Sequence, residues 1–185
     1  LLSLNFDVIF IAAPHVKRRG DMKVDHAACI VTIDDSQYYV DVADGLYSSR
    51  IPVNLNGDVV NDVNFSYKIT NDGHKYTLEV KENGEWMNRN TFNLKPETIH
   101  YFKNEFDGSA TDFFIKENIF LVNTTTVEKR ILLGKHFICI NETGVMQTKN
   151  IDENCLEEIV RKHFDVAENF VPSQFPKILP RAKLH

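Results

Sequence analysis

The stretch VDHAACIVTIDDSQYYVDVADG, residues 24–45, decides the architecture. AACIVTI and QYYVDV are β-branched and aromatic runs of strand length, and Asp34-Asp35-Ser36 between them is turn chemistry, so the segment reads as a β-hairpin. It carries His26 at the start of its first strand and Asp41 at the end of its second. An imidazole oriented by a carboxylate is the base half of nucleophilic catalysis. The carboxylate fixes the tautomer and stabilises the imidazolium that forms when the nucleophile loses its proton. Taken on spacing alone, two ordinary strand-end residues are the plainer reading. With a tight turn, Asp41 falls opposite residue 28 or 30. That is the face of His26, but about 7 to 13 Å from it, so direct contact needs a bulge, strong twist or a longer loop.

The flanking sequence continues the β character. FDVIFIAA, residues 6–13, bounded by Asn5 and Pro14, reads as a buried strand. PHVKRRGD follows as a basic loop whose His15, Lys17, Arg18 and Arg19 could meet coenzyme phosphates, a solvated loop being the plainer reading. VNFSYKI and KYTLEVK flank residues 70–73, and the next pair of runs flanks Asn83-Gly84, a strong hairpin signal. Successive antiparallel hairpins at this spacing predict a curled sheet or barrel. At LKPETIHYFKNEF the period changes. Pro96 suits a first helical turn, and Ile99, Phe102 and Phe106 recur at helical spacing. Four short strands follow (ENIFLV, KRILL, KHFICI and VMQTKN), and then a helix over DENCLEEIVRKHF. Leu156, Ile159, Val160 and Phe164 form the apolar face of that helix, with Asp152 as its cap.

Composition narrows the function classes. At 185 residues the chain can bury a core without staples. Its 21 Lys and Arg against 26 Asp and Glu make no basic field, which argues against nucleic acid or an anionic membrane as partner. No apolar run approaches the roughly 20 residues that span a bilayer. Cys29, Cys139 and Cys155 have no CxxC spacing and read as reduced, buried thiols, so the expected location is cytoplasmic. The histidines show no HxH or HExxH pattern, and we expect no metal. The chain opens on Leu1, in LLSLNFDVIFIAA, without a lead-in, and reads as the downstream part of something longer.

The order His26, apolar strand, turn, YYVDV, small residue, Asp-Gly resembles the arylamine N-acetyltransferase family, whose triad His precedes such a strand and whose triad Asp stands in a VDVGFG segment. LLSLNFDVIFIAA is similar to that family's entry strand, and EWMNRNTFNLKPETIHYFKNEF to its Trp, Tyr-x-Phe, Leu-x-Pro, Asn-x-Tyr passage. FFIKENIFLV and KRILLGKHF are similar to later segments, so the likeness runs over residues 1 to 166. It implies that His26 is the general base and Asp41 its orienting partner. The family's nucleophile lies in an Arg-Gly-Gly-x-Cys segment of a preceding helical domain, and no such segment occurs here. Cys29, three residues from His26, points by strand parity to the other face.

Two departures bear on substrates. VDVADG replaces VDVGFG, so Asp44 stands where an aromatic would face an aryl substrate, at a desolvation cost unless it is paired. The resemblance sets Asp44 and Gly45 in the substrate pocket. FDGSATDFF replaces a longer proline-containing loop, where the resemblance implies coenzyme contacts at Ser109 and Thr111. The expected fold is α+β: an antiparallel β-barrel over 1–95, an interdomain helix over 96–112, a small α/β lid over 113–166 and an irregular tail over 167–185. This is a cysteine-protease-like superfold without its N-terminal helical part. The implied function is acetyl-CoA-dependent acylation of an arylamine or hydrazine through a Cys-His-Asp triad, the chain alone being inactive and self-associating through an exposed barrel face. Two alternatives remain: a non-catalytic relative kept as a binding module, and a cysteine hydrolase.

Overall fold

The computed structural model describes residues 4–17, 24–63, 65–106, 120–144 and 146–166. The chain divides into two compact units, Leu1–Ser109 and Ala110–His185.

The first unit is built from two four-stranded antiparallel sheets. One joins β1 (Asp7–Ala12), β2 (Ala27–Ile33), β3 (Ser36–Val40) and β4 (Val53–Asn54) in sequence order. The other joins β5 (Val60–Asp62), β6 (Phe65–Asn71), β7 (Tyr76–Glu82) and β8 (Glu85–Phe92) in the same way. Two hairpins turn on two residues each with left-handed backbone, Asp34 (φ 47°) with Asp35 (φ 64°) and Asn83 (φ 52°) with Gly84 (φ 88°). That turn geometry matches the twist of the flanking strands. The inward residues of both sheets share one core, in which Ile11, Ile30, Tyr67, Ile69 and Val80 are almost wholly buried.

The expected closed barrel is not formed. β1 leaves β2 at Ala12, and beyond Pro14 the chain crosses to β8. There Thr91 N donates to Pro14 O at 3.0 Å and Val16 N to Arg89 O at 2.9 Å. Pro14 has no N–H with which to prolong a ladder, and this junction remains a short clasp reinforced by Asn90, whose Nδ2 donates to Ala13 O at 2.7 Å. At the other margin β4 and β5 span only two and three residues, too few to zip the sheets together.

Helix α1 runs Ile99–Phe106. It begins after Thr98 rather than at Pro96, and Ile99 is exposed instead of belonging to the buried face. Phe102 is the anchor, its ring 4.7 Å from that of Phe10. The side chain of Phe106 lies outside those described.

The second unit pairs β9 (Phe120–Thr124), β10 (Glu128–Leu133), β11 (His136–Asn141) and β12 (Met146–Asn150) in one antiparallel sheet. Helix α2 (Leu156–His163) buries Leu156 and Val160, with Phe164 just beyond it, against Leu132, while Ile159 is only half-buried. Asp152 does not cap this helix, whose N-cap is Cys155; it caps the short turn before it, accepting from Asn154 N at 2.9 Å. The tail expected to be irregular lies outside the described residues.

Candidate active site

The β2–β3 register sets Cys29 opposite Val40, which by extension sets Asp41 opposite Ala28. His26 is two residues further along, on the same face. His26 Nε2 nevertheless reaches Asp41 Oδ2 at 2.6 Å, with both residues buried. The turn is tight and this ladder has no bulge, so the contact is diagonal. Such neighbours lie about 7 to 8 Å apart with their Cβ atoms somewhat closer, within reach of an imidazole facing a carboxylate.

Asp41 is itself held. Its Oδ1 accepts from Ala43 N at 2.8 Å, and its Oδ2 accepts from the Tyr39 hydroxyl at 3.1 Å. Burial, and then the Asp41 charge, push the Tyr39 hydroxyl well above its ordinary range, so it stays a donor. With Nε2 turned to the carboxylate, Nδ1 is the ring nitrogen available to a reacting group.

Beside this pair lies a second cluster. His15 Nδ1 meets Asp25 Oδ2 at 2.9 Å and His15 Nε2 meets Asp44 Oδ1 at 2.9 Å. Arg89 donates to Asp44 through Nε at 2.8 Å and through Nη2, and its guanidinium lies 4.6 Å from the Tyr47 ring centre. Arg89 gets there through a β-bulge. Leu78 pairs with Asn90 and Glu79 with Asn88, so Arg89 is the extra residue of β8, turned out of the alternation. Burial opposes charge on His15, but its bonds to Asp25 and Asp44 outweigh it and raise the pKa to about 9. Burial likewise opposes the Asp44 carboxylate, and Arg89 and His15 overcome it, holding its pKa at about 2.

Asp44 therefore is paired, as a carboxylate at that position requires. Gly45, with φ 59°, follows it in the left-handed region that favours glycine and starts the short turn Gly45–Tyr47. His15 stands in this cluster and not in a solvated basic loop. Lys17 is exposed, and Arg18 and Arg19 lie outside the described residues, as do Ser109 and Thr111. Sequence reasoning missed Asp25, Arg89, Tyr39 and Tyr47. Asp25 adjoins His26 in plain view, whereas nothing in EWMNRNTF marks the bulge.

The three cysteines are free thiols. Burial, and then Asp41, raise the pKa of Cys29. Burial and a hydrogen bond to Glu128 Oε2 at 2.8 Å push Cys139 up to about 11. The burial expected of all three is not found: Cys29 and Cys139 are half-buried, and Cys155, in the second unit, is exposed. A raised pKa disfavours the nucleophilic thiolate. Among the described residues no three His, Cys, Asp or Glu side chains group as a ligand set, and no described helix is long and apolar enough to cross a membrane.

An antiparallel two-sheet unit followed in sequence by a small sheet-and-helix unit has counterparts among known proteins. A family model described as N-acetyltransferase matches residues 1–170. The chain belongs to the arylamine N-acetyltransferase family. Solved structures with the same fold include the arylamine N-acetyltransferase from Salmonella typhimurium, at 16% identity and TM-score 0.78, with 94% of this chain and 66% of that one covered. The enzyme from Mycobacterium marinum, solved in complex with CoA, aligns at 17% identity and TM-score 0.75, covering 88% of this chain and 64% of that one. One from Bacillus cereus, reported to have a Cys-His-Glu catalytic triad, aligns at 17% identity and TM-score 0.67, covering 96% and 68%. No curated protein matches. The chain spans just under two thirds of the Salmonella and M. marinum structures.

Proposed function

We propose that these residues supply the base half of an acetyl-CoA-dependent arylamine or hydrazine N-acetyltransferase, with His26 as general base and Asp41 as its orienting carboxylate. The observation that carries this reading is the buried 2.6 Å contact between His26 Nε2 and Asp41 Oδ2, in a chain of this family. In the proposed cycle a cysteine thiol gives its proton to His26 Nδ1 and attacks the acetyl carbonyl of acetyl-CoA. The tetrahedral species collapses, the C–S bond to CoA breaks, and CoA leaves as a thiol with the proton returned by His26. The amine then attacks the enzyme thioester and His26 takes up its proton. The amide leaves and the cysteine is restored. Asp41 stabilises the His26 imidazolium at each step.

The cysteine comes from outside these 185 residues in this reading, since the thiol nearest in sequence, Cys29, sits on the strand face opposite His26 and has a raised pKa. Asp44 and Gly45 would line the acceptor side, and Ser109 and Thr111 would meet the coenzyme. The domain limits expected from sequence (1–95, 96–112, 113–166) and the relation to the cysteine-protease superfold belong to the same proposal. Three free thiols support a cytoplasmic setting.

The test is incubation of the 185-residue chain with acetyl-CoA and an arylamine, following CoA release. No release is expected. Turnover that disappears in His26→Ala would overturn the assignment of the nucleophile to another segment.

A non-catalytic relative is the second reading, favoured by the replacement of the aromatic by the ion-paired Asp44.

A further inference from the structure

We propose that His15 is a positioning residue for the dyad: its ring, held between Asp25 and Asp44, clips together the two segments that carry His26 and Asp41. The inference rests on the reading of His26 as a base.

The geometry is specific. Asp25 immediately precedes His26, and Asp44 follows Asp41 in the same loop. One imidazole bonds both, at 2.9 Å on each nitrogen, and the His15 backbone N–H adds a third bond to Asp25 Oδ1 at 2.9 Å. The ring also packs on that of His26, with centroids 4.8 Å apart and planes 42° apart. Ionised carboxylates only accept hydrogen bonds, so serving two of them requires both ring nitrogens to donate, and only the imidazolium does that.

The groups facing His15 are Asp25 from the stretch before β2, Asp44 from the loop after β3, Arg89 from the bulge of β8 and the His26 ring. Arg89 disfavours the charge on His15 and the two carboxylates favour it, which keeps the cation through neutral pH. Loss of the proton leaves one donor for two acceptors, and one of the two segments is released. An ion pair with no bearing on the dyad would neither connect these two segments nor contact the His26 ring.

The test uses the 185-residue chain with 15N-labelled histidine rings. At neutral pH both nitrogens of His15 should carry protons. The His26 Nε2 proton, assigned by its loss in His26→Asn, should exchange slowly. Raising the pH through about 9 should speed that exchange beyond its ordinary rise with hydroxide concentration, in step with the titration of His15. His15→Phe keeps a ring but has no donors. It should speed exchange of the His26 proton roughly tenfold at neutral pH, the equivalent of one lost hydrogen bond, and abolish the alkaline transition. Should that variant not fold, Asp25→Asn should lower the pH of both transitions together. A neutral His15 at neutral pH in the unaltered chain overturns the proposal. So does a His26 signal whose exchange rate and pH dependence are unchanged in His15→Phe or Asp25→Asn. Failure of the acyl-transfer reading would show separately, with these signals intact, as a rate of CoA release unchanged by His26→Gln once these residues are joined to a segment bearing the cysteine.

Discussion

Arg89 grips Asp44 across 45 residues of sequence, with Nε at 2.8 Å and Nη2 alongside, and it does so from a position where β8 carries one residue more than β7 opposes. The bulge spends one rung of the ladder to aim a guanidinium at a carboxylate that would otherwise be buried beside His15 alone. Removing one partner from such a pair leaves an uncompensated charge. Arg89→Ala is expected to cost about 2 kcal/mol, below the fully buried case because the guanidinium is partly exposed. Asp44→Phe, which restores the aromatic of the family pattern, should cost more, since it strands Arg89 and takes one of the two carboxylates from His15. Urea denaturation of both variants checks this, and an Asp44→Phe chain as stable as the parent would contradict it.

Stability should fall on the alkaline side. The folded-state pKa of His15 is about 9 against an ordinary 6.5, so its contribution is complete below pH 6.5 and is lost as pH rises through 9. The loss is on the order of 2 to 3 kcal/mol. Asp44, depressed from 3.8 to about 2, acts in the opposite sense, its contribution being present above 3.8 and lost as pH falls through 2. Thermal melts across pH 6 to 10 should show the alkaline decline in the parent and a flatter profile in His15→Phe.

The three thiols should behave as bystanders. Cys155, exposed, should react first with an alkylating reagent, and Cys29 and Cys139, with raised pKa values, much later. None of the three rates should change in His26→Ala. A cysteine whose alkylation slows in that variant would be coupled to His26 and would reopen the question of a local nucleophile.

Exposed apolar side chains predict association. Leu4 is 70% and Val42 91% exposed, with Ile51 and Val59 also open to solvent. Where such side chains adjoin one another they favour self-contact. Sedimentation of the 185-residue chain should show a concentration-dependent rise above the monomer mass. A monomer at all concentrations that binds no hydrophobic dye would count against it.

Much of the fold was legible because the decisive signals are local. Asn83-Gly84 and Asp34-Asp35 specify their hairpins through backbone preference, and the helix over Leu156–His163 announces itself through its apolar spacing. Barrel closure was not legible. It depends on whether β4 and β5 are long enough to meet, and a strand's effective length is set by its partner rather than by its own residues. His26 and Asp41 could be named as a pair, while their contact could not be derived, since a diagonal reach depends on twist. The His15 cluster escaped for a like reason. Its members come from four separate segments, and the bulge that delivers Arg89 leaves no mark on the alternation of EWMNRNTF.

The most direct test of the account joins these 185 residues to a segment bearing an Arg-Gly-Gly-x-Cys cysteine and measures CoA release from acetyl-CoA in the presence of an arylamine. His26→Gln should lower the rate by about 10² to 10⁴, the usual contribution of a positioned general base, and Asp41→Asn should lower it in the same direction with the cysteine still in place. A His26→Gln protein that releases CoA at the parent rate would contradict the assignment of His26 as the base.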